Sequence, residues 1–100
     1  MNLLLRTIIQ ERQRIENMLA EYKTELSLLP KGIISEKNTG GKTYYYLKYR
    51  DGKKVISKYI RREDVDAVRE QIKRRKHIEE VIRSLREEKK IADEILEGKR

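Results

Sequence analysis

Cysteine is absent, which excludes disulfide frameworks, thiolate metal sites and cysteine nucleophiles together, and leaves no sign of an oxidising compartment. Tryptophan and phenylalanine are also missing, proline occurs once and histidine once. Long apolar runs are missing too. The opening Met1-Asn2-Leu3-Leu4-Leu5-Arg6 breaks too early for a signal-peptide core and far too early for a membrane span, so the expected location is the cytoplasm, without a membrane role. With 37% hydrophobic and 42% charged residues in 100 positions, one small domain over residues 1–100 with a thin core is expected, largely helical and charged on its outside.

What is present is positive charge, and it is concentrated. Residues 1–29 hold four basic and four acidic groups, and residues 63–100 hold eleven of each. The whole net charge of +8 therefore falls on residues 30–62, which hold ten basic groups against Glu36 and Asp51. A local field of this kind attracts polyanions, of which nucleic acid is the most abundant in a cell.

Apolar periodicity sets the elements. Ile8, Ile15, Tyr22 and Leu29 recur every seven residues, and Leu5, Leu19 and Leu26 lie on the same stripe, with Arg12 as its one polar break. This predicts a helix over residues 1–29, roughly 42 Å long, packed lengthwise on another helix and ended by Pro30. From Gly32 the pattern becomes β-branched and short, with turn signals at Asn38-Thr39-Gly40-Gly41 and at Asp51-Gly52. A three-stranded antiparallel meander over residues 32–60 follows. Glu63, Asp64 and Asp66 then favour a helix start near Arg62. Its apolar positions run through Val65, Val68, Ile72, Ile78, Val81, Ile82, Leu85, Ala92, Ile95 and Leu96, and Gly98 with two basic residues is expected to fray.

The predicted class is α+β, with a helix over residues 62–97 pairing antiparallel with the first. Dimerisation through the helices into a four-helix arrangement is the alternative way to cover both stripes.

Alternation along the middle strand separates Thr43, Tyr45, Leu47 and Tyr49 from Tyr44, Tyr46, Lys48 and Arg50. The facing of the third strand depends on the turn. A three-residue loop sets Lys54, Ile56 and Lys58 beside Lys48, and a two-residue turn reverses the partners. The three-residue loop is preferred because it gathers charge on one face, although it leaves Ile56 there. On that reading Lys42, Tyr44, Tyr46, Lys48, Arg50, Lys54, Lys58, Arg61 and Arg62 are the candidate nucleic-acid-binding residues, with cations for phosphates and phenol rings for bases or sugars. The same residues also suit an exposed sheet kept soluble by its lysines.

The run Lys73-Arg74-Arg75-Lys76-His77 spans all faces of a helix and reads mostly as a solvated surface, with Arg61, Arg62, Lys73 and Lys76 available to extend the sheet's field. No pair of titratable groups, zinc constellation or phosphate-binding glycine loop accompanies the sheet, and His77 sits among cations. No enzymatic activity, cofactor or metal is expected. The expected partner is nucleic acid, DNA ahead of RNA, and the alternative is a protein-interaction module such as an inhibitor or adaptor of a nucleic-acid enzyme.

The stretches Leu29-Pro30-Lys31-Gly32, Glu36-Lys37, Gly41-Lys42-Thr43-Tyr44-Tyr45-Tyr46-Leu47-Lys48-Tyr49-Arg50 and Lys54-Val55-Ile56-Ser57-Lys58-Tyr59-Ile60 resemble a family of small uncharacterised prokaryotic proteins. That resemblance implies a helix-sheet-helix architecture and carries no activity. Residues 42–72 are also similar to the AP2-like arm-binding domain of phage-type integrases, which implies origin in a phage or mobile element. It also implies a sheet entering the DNA major groove through Tyr44, Tyr46, Lys48, Lys54 and Lys58. The two long helices are not part of that domain.

Overall fold

The computed structural model describes residues 2–98. Helix α1 (Leu3–Ser27) is followed by strands β1 (Ile33–Thr39), β2 (Lys42–Asp51) and β3 (Lys54–Ile60). A 3-10 turn (Arg62–Asp64) then leads into helix α2 (Val65–Leu96). The α+β class and the element order match the sequence reading. Lys99 and Arg100, expected to fray, lie outside the described residues.

Two compact units divide the chain, Met1–Leu28 with His77–Arg100, and Leu29–Lys76. In the first unit α1 packs against the C-terminal part of α2 in antiparallel sense. The helix is shorter than the predicted 1–29 because Asn2 caps it, its side-chain oxygen accepting from the Leu5 amide at 2.8 Å, and because Leu28 caps the other end two residues before Pro30. Ile15 and Leu19 of α1 are buried, as are Ile78, Ile82, Leu85 and Ala92 of α2, with Ile78 wholly enclosed. These are stripe positions on both helices, so hydrophobic burial selects the faces that the spacing indicated.

Arg12, the polar break in the α1 stripe, meets Asp93 at 3.4 Å, and Lys89 reaches the other oxygen of that carboxylate at 2.9 Å. One acid thus answers a cation from each helix. The Lys89 hydrogen bond, with Arg12 adding to it, holds the Asp93 carboxyl below its ordinary value of 3.8. A depressed carboxyl pKa stabilises the fold above the unfolded value, and that contribution is lost as pH falls through the folded value. Asp93→Asn should therefore lower the urea midpoint at pH 7, and the difference from the native protein should shrink as the pH falls through the folded value and the native carboxyl takes up its proton.

The second unit holds the sheet, in the order β1-β2-β3, both pairs antiparallel. Ile60 and Val65 are buried at its centre, with Ile34, Leu47, Ile56, Val68 and Ile72 half-buried around them. The start of α2 is fixed to the sheet by Arg69, 3.8 Å from Glu36, and Arg75 donates to the Leu29 carbonyl at 2.9 Å. The helix proper begins at Val65, three residues after the predicted Arg62, because Arg62–Asp64 form the tighter turn first. Among the described residues no helix is long and apolar enough to cross a membrane.

Gly32 places β1. Its φ of +117° suits glycine, and a Cβ there would lie 2.2 Å from the Lys48 carbonyl oxygen and 2.9 Å from the Tyr49 Cβ. The strand therefore enters the sheet with its backbone against β2, at the Ile33↔Lys48 pair.

Candidate nucleic-acid interface

The register of the second hairpin decides which side chains share a face, and it differs from the preferred reading. Asp51 pairs with Lys54, so the loop has two residues, Gly52-Lys53. Gly52 has a φ of +63°, and no residue other than glycine has positive φ among those described. A glycine with positive φ in first position, followed by an ordinary residue, is the sign pattern of a type II′ turn, whose twist suits a tight hairpin. Asp51-Gly52 is thus not the centre of the turn; Asp51 is the last residue of β2. The three-residue loop is corrected to the two-residue alternative.

The faces follow by alternation. Leu47 stands opposite Ile34 and Lys58, Tyr45 opposite Glu36 and Ile60, and Tyr49 opposite Ile56. This is the half-buried face, and it takes in Ile56, the residue that fitted poorly under the three-residue loop. It also takes Lys54 and Lys58, so the predicted plate that joined these two to Lys48 and Arg50 is not formed. Lys58 lies instead over the Tyr49 ring, with its Nζ 5.6 Å from the centroid, and Lys31 is 5.9 Å from the same ring.

The opposite face carries Lys42, Tyr44, Tyr46, Lys48 and Arg50 of β2, Ile33, Ser35, Lys37 and Thr39 of β1, and Val55, Ser57 and Tyr59 of β3. Five of the nine predicted residues are brought together here. Two that the sequence reading left out join them: Lys37 opposite Tyr44, and Tyr59 opposite Tyr46. The Tyr46 and Tyr59 rings meet edge to face, 5.9 Å between centroids and 67° between planes. Arg61 and Arg62 lie beyond the end of β3, exposed, with Arg61 3.7 Å from Glu63.

Charge divides with the faces. The only acids within the strands, Glu36 and Asp51, both fall on the Leu47 face, where Lys54 and Lys58 balance them. Lys37, Lys42, Lys48 and Arg50 face the other way with no acid beside them in the sheet. All four are exposed, and among the described residues none of them makes an ion pair. Tyr44 and Tyr46 are half-buried, and Tyr59 is 59% exposed.

The basic run on α2 is less uniform than a solvated face. Arg75 is half-buried on the Leu29 carbonyl, and Lys73 is 3.5 Å from Glu70. Lys73 and Lys76 border a shallow depression of about 240 Å³ floored by Ile33, Ile34 and Ile72. Among the described residues no cluster of three or more histidine, aspartate and glutamate side chains could hold a metal ion.

No curated protein and no solved structure matches the chain. A family model described as a domain of unknown function (DUF6788) matches residues 5–70, a stretch that takes in α1 from Leu5 onward, the whole sheet and the start of α2, and the chain belongs to that family.

Proposed function

We propose that the protein binds nucleic acid through the sheet face bearing Lys37, Lys42, Tyr44, Tyr46, Lys48, Arg50 and Tyr59, and acts as an accessory factor without catalysis of its own. The observation that carries this reading is the segregation of charge. Four exposed cations share one face with three tyrosines, and both strand acids lie on the other. Solubility alone does not require that division, since mixed charges on both faces serve it as well. A polyanion rewards it, because each phosphate neutralised releases condensed counterions.

The test is a titration of labelled oligonucleotides at two salt concentrations. Micromolar binding at low salt is expected. Four phosphate contacts give a slope of log K against log salt of about −3 on a single strand. Absence of micromolar binding to duplex DNA, single-stranded DNA and RNA alike would remove the proposal and leave the face to a protein partner.

A further inference from the structure

We infer that this face takes single-stranded nucleic acid in preference to duplex, an inference that rests on the nucleic-acid reading above. The layout is the reason. Along β2 the exposed face reads Lys42, Tyr44, Tyr46, Lys48, Arg50, with Lys37 beside Tyr44 and Tyr59 beside Tyr46. Cations therefore stand at both ends and rings in the middle.

A duplex offers its phosphates and its groove edges, and the faces of its bases are covered by their neighbours. Against a duplex the four cations would find partners and the central rings would gain little. Unstacked bases reverse this, since each base laid on an aromatic ring tightens binding by about tenfold whatever its identity.

Spacing points the same way. Tyr44 and Tyr46 are two residues apart on one strand, about 7 Å, twice the ~3.4 Å rise of stacked bases. Successive bases of a stacked helix cannot occupy both rings, whereas a stretched strand can. The steep angle between Tyr46 and Tyr59 makes a corner, in which a base stacked on one ring meets the edge of the other. From Lys42 to Arg50 the face runs about 27 Å, room for about four extended nucleotides with a cation at each end of the path.

The experiment compares, by fluorescence anisotropy, a labelled single-stranded DNA 12-mer, the RNA of the same sequence and the blunt DNA duplex, each with the full chain. At least one single strand should bind tenfold or more tightly than the duplex. Tyr59→Ala, at an exposed position, and Tyr46→Ala should each weaken single-strand binding about tenfold and leave duplex binding within about twofold. Tyr46→Phe, which keeps the ring and tests against misfolding, should bind as the native protein does. Duplex binding as tight as single-strand binding, or an equal loss on both from Tyr59→Ala, would overturn the inference while the nucleic-acid reading stands. Binding to none of the three would remove both.

Discussion

Replacing Gly32 by alanine should lower the stability of the sheet unit by about 3 kcal/mol, read as a shift of the urea midpoint at unchanged slope. The added Cβ meets two backbone-proximal atoms at once, the Lys48 carbonyl oxygen and the Tyr49 Cβ, and neither is the end of a flexible side chain. Relief requires β1 to draw away from β2 at the Ile33↔Lys48 pair. Gly52→Ala is the comparison. Its φ is also positive, but nothing lies within 4 Å of a Cβ there, so only the cost of holding a side chain at that turn position remains, about 1–2 kcal/mol. If Gly52→Ala costs as much as Gly32→Ala, close approach is not what Gly32 supplies. Because Lys48 lies on the proposed binding face, Gly32→Ala should also weaken nucleic-acid binding.

The second large effect is on binding itself. Lys48→Glu with Arg50→Glu should reduce affinity by about a hundredfold, on the basis of two charge-assisted contacts of about 1.5 kcal/mol each. Lys54→Glu with Lys58→Glu changes the net charge by the same amount on the opposite face. That pair should reduce affinity by less than about fivefold, through the long-range field alone. Equal losses from the two double variants would mean that net charge, rather than the face, governs binding. Circular dichroism of both variants separates lost binding from lost fold.

The helices were legible because their heptad spacing is a local property. Ile15 and Leu19, Ile78, Ile82 and Leu85 follow from period alone. The meaning of Arg12 was not legible, since Asp93 lies 81 residues away and only the antiparallel pairing brings it within 3.4 Å. Alternation along β2 was likewise readable, and it separated Tyr44, Tyr46, Lys48 and Arg50 from Tyr45, Leu47 and Tyr49. What β3 adds to each face hangs on a single residue of loop length. Asp51-Gly52 is a strong hairpin pair, and taking Gly52 as the left-handed residue of a longer loop moved every β3 side chain to the wrong face. Ile56 held the available signal: it belongs with Leu47 and Ile34, and only the two-residue turn puts it there. Tyr59 and Lys37 were missed for the same reason, because their membership of the face comes from cross-strand pairing. Gly32 read as the start of a β segment, and its contact with Lys48 appears only once the strands are paired.

Six tyrosines make the face directly observable. Tyr44, Tyr46 and Tyr59 lie on the proposed binding face, Tyr45 and Tyr49 on the opposite face of the sheet, and Tyr22 on α1. The measurement is the set of tyrosine ring resonances, recorded by NMR as a short single-stranded oligonucleotide is added. Shifts confined to the rings of Tyr44, Tyr46 and Tyr59, with those of Tyr22, Tyr45 and Tyr49 still, are the expected result. Saturable binding that moves Tyr45 and Tyr49 instead, or leaves all six rings unmoved, would contradict the assignment of the interface to this face.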